Sequence, residues 1–370
     1  MLDVRFALKA TKLLRGQRND AKCQQRTFGT ARRDAIIQTR FGLTVAHPDE
    51  KESRRTAGER SQQNWEEAMV RLSVLASLLL SLAIPCNATS APLAKEAEVN
   101  GVRIQYLEDG SGEPVVFVHG ALGDLRSWEP VREGIASKYR FVAYTQRYYG
   151  TEPWPDDGKN FGVPTHADDL ARFITSLNAG PVHLVGWSYG GLVATTAAVK
   201  NPSLVRSLIL YEPSIISVLP AESADGKAAR EDQSKIFAPA VAANKGGDAV
   251  QAAKLLIEAV FQREPGGFDR EPRALQTRVL DNARIMPLLF AAPAPPAITC
   301  DMLKNFPQST LVMRGEKTQV FFALISEAIS KCIPGAQLVV LQNVNHDGPS
   351  RDPAGFSAAV ISFLSKHPGL

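Results

Sequence analysis

From Lys95 onward, short apolar runs alternate with segments whose apolar positions recur at helical spacing. Glu96 to Val99 and Val102 to Leu107 flank Asn100-Gly101, the pair that supplies the two positive φ angles of a tight hairpin. Val115 to Val118 is an unbroken apolar run, as a strand buried on both faces requires. Phe141 to Thr145 reads the same way, and Val182 to Val185, Leu204 to Leu210, Leu311 to Met313 and Leu338 to Leu341 complete eight predicted strands. Helical spacing covers Arg126 to Ser137. A second helix begins at Thr165, with Leu170, Phe173, Ile174 and Leu177 on one face, and Leu192 to Val199, Phe321 to Ser330 and Gly355 to Leu364 follow. Strands alternating with helices predict an α/β domain over residues 92–370, with a mostly parallel eight-stranded sheet and helices on both faces.

Two stretches break the alternation. Between about 217 and 297 the chain shows only Ala-rich helical patterns, returning to the sheet through Pro293, Pro295 and Pro296. An insertion of that length between two strands is too long for a loop and predicts a helical cap. The second stretch precedes the domain. Residues 69–91 begin with Met69 and Arg71, run through the apolar stretch Leu72 to Ile84, and end in small residues, with cut sites after Ala88 or Ala91. This is the layout of a secretory signal, and its apolar run is shorter than the roughly 20 residues of a membrane span. Residues 1–68 show no sustained period. We expect Met69 to be the true start and the preceding text an over-extended gene model, the alternative being a disordered basic extension before an uncleaved anchor. The mature protein is then expected in the periplasm or outside the cell, with no stable membrane span.

The net charge of +4 changes the picture only through its distribution: residues 1–68 hold 14 Lys+Arg against 9 Asp+Glu, so the rest of the chain is close to neutral. No basic stripe marks a nucleic-acid partner. Four cysteines, Cys23, Cys86, Cys300 and Cys332, form no CxxC pair or zinc-type cluster, so no metal is expected. If the signal is removed after Ala88, only Cys300 and Cys332 remain. In an oxidising compartment they are expected to pair, the alternative being two buried thiols packed as small hydrophobes.

The chemistry sits in VHLVGWSYGG, Val182 to Gly191. A strand runs into Gly186-Trp187-Ser188-Tyr189-Gly190 and then a helix, the setting in which a serine is exposed on a strained turn and glycines allow strand and helix to approach. With His119-Gly120-Ala121 after the third strand, the insertion after the sixth and Asn345-His346 after the last, residues 95–370 resemble an α/β-hydrolase. The resemblance implies Ser188 as nucleophile, backbone N–H groups of Ala121 and Tyr189 as an oxyanion hole, and no cofactor. Of six histidines, His346 alone follows a late strand in the order nucleophile, acid, histidine.

The acid departs from the family pattern. LVMRGEKTQ puts Thr318 where an Asp is expected, and a threonine carries no charge to hold an imidazolium. Glu212, at the end of the sixth strand, and Glu316 are the substitutes, with Glu212 slightly ahead; a triad without a carboxylate is the remaining option. Arg147, Tyr148 and Tyr149 follow the fourth strand and either border the pocket or sit in a solvated loop. The expected function is a serine hydrolase of a small ester, thioester or lactone acting on a small-molecule substrate. A cofactor-free haloperoxidase-like or carbon–carbon-bond hydrolase shares the same triad, and a hydrolase-shaped binding protein is the reading that the missing Asp would favour.

Overall fold

The computed structural model describes residues 94–367. The extension expected at residues 1–68 and the export signal expected at 69–91 lie outside them. Eight strands form one sheet in the order β1-β2-β4-β3-β5-β6-β7-β8. They are β1 Lys95–Val99, β2 Val102–Asp109, β3 Pro114–Val118, β4 Arg140–Tyr144, β5 Val182–Trp187, β6 Val205–Tyr211, β7 Ser309–Gly315 and β8 Gln337–Leu341. The β1/β2 and β2/β4 pairs are antiparallel and every later pair is parallel. Asn100 and Gly101 turn the first hairpin with φ of 47° and 76°, as their sequence requires. Every residue of β3 and β5 is buried, which explains why those runs do not alternate.

Helices cover the sheet: α1 Glu129–Ala136, α2 Val163–Ser176 and α3 Tyr189–Lys200 arise between strands. Five more occupy the insertion between β6 and β7: α4 Ala224–Lys245, α5 Ala249–Val260, α6 Arg273–Asp281, α7 Met286–Ala291 and the one-turn α8 Cys300–Leu303. The chain closes with α9 Val320–Cys332, the short α10 Gly348–Arg351 and α11 Pro353–Leu364. The helix expected from Arg126 divides into a 3-10 turn, Leu125–Trp128, and α1. Pro130 at the second position of α1 explains the break, because it has no N–H with which to continue the preceding turn's hydrogen bonds and is tolerated only in a first turn. Ser223 and Asp248 cap α4 and α5 by accepting the N–H groups of Gly226 and Gln251, each cap worth about 1 kcal/mol.

Parallel strands share a direction, so the loops leaving β3, β5, β6, β7 and β8 gather at one edge. β4 lies on one side of β3 and β5 on the other, so the loops after β3 and β5 flank the point where the chain reverses its progress across the sheet. Ligands in open α/β sheets bind at such a point. Cys300 and Cys332 are joined by a disulfide with a Cα separation of 5.1 Å, tying α8 at the insertion's exit to the end of α9. Among the described residues no helix is long and apolar enough to cross a membrane.

Candidate active site

Ser188 sits between β5 and α3 with φ 57° and ψ −121°, a conformation an L-residue holds only when its surroundings enforce it. Those surroundings are the glycines. A Cβ on Gly186 would lie 2.7 Å from the Gly190 carbonyl oxygen, and one on Gly190 would lie 2.3 Å from the Val118 carbonyl oxygen and 2.4 Å from that of His119. A Cβ on Gly120 would meet the Ser188 side chain at 3.1 Å. Strand, helix and the loop after β3 therefore approach backbone to backbone around the serine, and α3 directs its N-terminus, the positive end of its dipole, at this turn.

His346 follows β8 and is buried, with its Nδ1 2.7 Å from Glu212 Oε2. A carboxylate only accepts, so Nδ1 carries the proton and the neutral ring's Nε2 is left with a lone pair. Glu212 is fully buried, and its other oxygen, Oε1, accepts the Gly315 N–H at 2.7 Å. Glu212 itself has φ 42°, so the Glu-Pro pair leaving β6 turns the carboxylate back under the histidine. The imidazole stacks on Phe322 with ring centroids 3.9 Å apart and planes 11° from parallel.

The loop carrying His346 is pinned on both sides. The Tyr211 hydroxyl donates to the Asn345 carbonyl at 2.5 Å, and Asn345 Nδ2 donates to the Phe261 carbonyl at 2.8 Å. Asp347 is ion-paired with Arg263 and, at 2.9 Å, with Arg351, and both arginines also reach buried Glu271. Phe261 and Arg263 follow α5, so the insertion holds the histidine loop in place.

Glu316, the alternative acid, is exposed and accepts the Asn343 N–H through Oε2. The carboxylate that meets His346 is Glu212. The Thr318 hydroxyl is buried and hydrogen-bonds to nothing among the described residues. Ala121 and Tyr189 line the same cavity as Ser188 and His346.

His119 is buried, donates from Nδ1 to the Gly120 carbonyl at 2.9 Å and accepts the Gln146 N–H at Nε2. The acceptor role of Nε2 requires the neutral ring, and burial lowers its pKa to about 4. Tyr189 Oη meets His166 Nδ1 at 2.8 Å, and burial lowers the pKa of His166 to about 3. Arg147, Tyr148 and Tyr149 do not border the Ser188 cavity. Arg147 pairs with buried Asp169 at 2.7 Å, and the two tyrosines pack on Phe161 and His166. The alternation of loop and strand placed them near the sheet edge but did not fix which way they turn.

The cavity above Ser188 holds about 210 Å³. Gly120 to Gly123 and Trp187 to Tyr189 form its floor, while Leu256, Val260, Phe261, Val279 and Phe290 from the insertion form much of its wall. Trp187 stacks on Phe261 with planes 5° from parallel. Three lining residues carried no sequence signal: Ser214, whose Oγ is 3.4 Å from Ser188 Oγ, Phe322 and Arg278. Their roles depend on where the insertion and the loops after β6 and β7 fold, which no local pattern records.

The sequence pattern of the alpha/beta hydrolase fold family matches residues 113–350, and the chain belongs to that family. It is 25% identical over 282 residues to the 2-(acetamidomethylene)succinate hydrolase of Mesorhizobium japonicum, covering 74% of this chain and 95% of that protein. Its fold is similar to a thermophilic esterase from Thermogutta terrifontis, at 23% identity and a TM-score of 0.58 over 75% of this chain and 100% of the other. The enol-lactonase of Burkholderia xenovorans LB400 is similar at 18% identity and a TM-score of 0.59, over 73% of this chain and 100% of that one. The protein is therefore an enzyme of the hydrolase class.

Proposed function

We propose that this hydrolase cleaves a small ester, thioester or lactone through Ser188, His346 and Glu212. The observation that carries the reading is the buried hydrogen bond between His346 Nδ1 and Glu212 Oε2 at 2.7 Å, which sets the tautomer a general base needs. His346 Nε2 takes the proton of Ser188 as Oγ adds to the carbonyl carbon, and Glu212 stabilises the resulting imidazolium without taking its proton. The carbonyl oxygen gains the negative charge and is met by the N–H groups of Ala121 and Tyr189, each such donor worth about 3 to 4 kcal/mol in the transition state. His346 then returns the proton to the leaving alcohol, thiol or ring oxygen, and water repeats the sequence on the acyl-serine. The insertion acts as a cap: its apolar side chains exclude bulk water, which strengthens each charge interaction beneath.

A series of p-nitrophenyl esters of increasing acyl length tests this. Turnover is expected for short chains, in keeping with a cavity of about 210 Å³, and is expected to vanish in Ser188→Ala and His346→Ala variants that keep their thermal midpoints. Either variant turning over near the wild-type rate refutes the assignment. We also propose that the mature chain is exported, which the Cys300–Cys332 disulfide supports because such bonds persist in oxidising compartments. N-terminal sequencing of the native protein checks this, with a start after Ala88 or Ala91 expected and a start within residues 1–60 refuting it.

A further inference from the structure

Arg278, on α6, is 7% exposed and lines the cavity that contains Ser188 and His346. Among the described residues its guanidinium makes no hydrogen bond or ion pair, and its Nε is buried without a partner. Asp124, the carboxylate whose charge acts on Arg278, is already engaged. Asp124 Oδ1 accepts the N–H and Nε–H of Arg126, and Oδ2 accepts Arg126 Nη2 at 2.7 Å and Asn282 Nδ2 at 2.8 Å. Asn282 also donates to the Arg278 carbonyl at 2.8 Å, which fixes the end of α6 against the loop after β3 while leaving the guanidinium uncommitted.

A buried charge without a partner is strongly unfavourable, and arginine escapes that cost poorly because its guanidinium does not give up its proton in proteins. Desolvation pulls Arg278 below the ordinary arginine pKa, with Asp124 opposing and Arg126 adding to that shift. The surrounding wall is apolar, with Val279, Leu256, Ile257 and Phe290. Such a wall offers no anion, but it intensifies attraction to one that enters.

We propose that Arg278 is the specificity residue of the hydrolytic site and that the substrate carries a carboxylate, held by its guanidinium while Ser188 attacks a separate carbonyl of the same molecule. A planar guanidinium with a free edge matches a carboxylate in a two-bond pairing, and a substrate that brings the missing counter-charge turns the cost of burial into selectivity. This rests on the hydrolase reading and adds the chemical class of its substrate.

The test compares two pairs of esters, each an anion against its own methyl ester. One pair carries the charge on the acyl side: p-nitrophenyl hemisuccinate and methyl p-nitrophenyl succinate. The other carries it on the leaving group: 4-acetoxybenzoate and methyl 4-acetoxybenzoate. In the wild-type enzyme at least one anion is expected to exceed its methyl ester in kcat/KM by about tenfold or more. Arg278→Gln is expected to lower that ratio by about tenfold to a hundredfold, and Arg278→Lys, which keeps the charge but not the planar edge, to give an intermediate ratio. Should the Gln variant fail to fold, the wild-type ratio and the Lys variant still decide. Methyl esters turned over as fast as the anions in wild type overturn this inference and leave the hydrolase reading standing. An anion preference unchanged in Arg278→Gln also overturns it. If none of the four esters is cleaved, the hydrolase reading falls and this inference falls with it.

Discussion

Replacing Glu212 by Gln changes one atom and separates charge from shape. Glu212 Oε1 accepts the Gly315 N–H at 2.7 Å while Oε2 faces His346 Nδ1 at 2.7 Å. In the variant the amide oxygen is held by Gly315, so the NH2 group faces His346. Two donors cannot share that contact, and the ring must adopt the tautomer with Nδ1 bare and Nε2 protonated. A protonated Nε2 has no lone pair for the Ser188 proton. The opposite amide orientation sets NH2 against the Gly315 N–H and leaves both donors buried without partners, a cost of about 1 to 3 kcal/mol for each. Loss of the correct tautomer in a serine triad lowers kcat by about 10⁴, so Glu212→Gln is expected to lose about 10³- to 10⁴-fold, or roughly 4 to 5.5 kcal/mol of transition-state stabilisation. The assay is kcat for p-nitrophenyl butyrate, with a thermal scan to establish folding. Glu316→Gln is the control, expected to stay within about threefold of wild type because its side chain is exposed. A folded Glu212→Gln enzyme within about tenfold of wild type would mean that this carboxylate does not set the state of His346.

Three further outcomes follow from the packing. Gly190→Ala is expected to destabilise by at least about 2 kcal/mol in urea unfolding, because the new methyl would meet the Val118 and His119 carbonyls at 2.3 and 2.4 Å; a loss under about 0.5 kcal/mol would contradict the close approach. Burial lowers the pKa of His119 to about 4 and of His166 to about 3, while the unfolded chain takes up those protons near pH 6.5. Stability should therefore be full above pH 6.5 and fall as the pH drops toward 4, by roughly 3 to 4 kcal/mol between pH 7 and pH 5 for the two together; a flat profile over that range would show that the rings are not held neutral. Reducing the Cys300–Cys332 disulfide, which spans 32 residues, is expected to cost roughly 3.5 kcal/mol in the chain-entropy picture, and an unfolding free energy unchanged by reductant would refute it.

The sheet was legible because its central strands are buried on both faces, so the run from Val115 to Val118 has no polar residue and the run from Val182 to Val185 has only His183. The nucleophile turn was legible for a related reason: three glycines within six residues, Gly186, Gly190 and Gly191, are explained only by a close crossing of strand and helix. Boundaries were less so. The break before α1 depends on Pro130, and α3 begins at Tyr189 rather than Leu192 because its first turn is glycine, whose helical tendency is supplied by packing. The acid was readable only as a choice between Glu212, Glu316 and no carboxylate at all, since Glu212 is separated from His346 by 134 residues and only the positive φ at Glu212 turns it under the ring. Arg278 was illegible for the opposite reason to Ser188. An arginine on an amphipathic helix looks the same in sequence whether it faces water or a closed cavity.

The central claim is that Ser188 is the nucleophile, and covalent trapping tests it most directly. Incubation with a fluorophosphonate followed by peptide mass mapping is expected to show one added phosphonyl group per chain, on the peptide containing Gly186-Trp187-Ser188-Tyr189-Gly190, with loss of ester hydrolysis in step with labelling. Labelling should be absent in Ser188→Ala and much slower in Glu212→Gln. A folded protein that hydrolyses p-nitrophenyl butyrate while Ser188 stays unmodified, or that takes the label at another residue as activity disappears, would contradict the account.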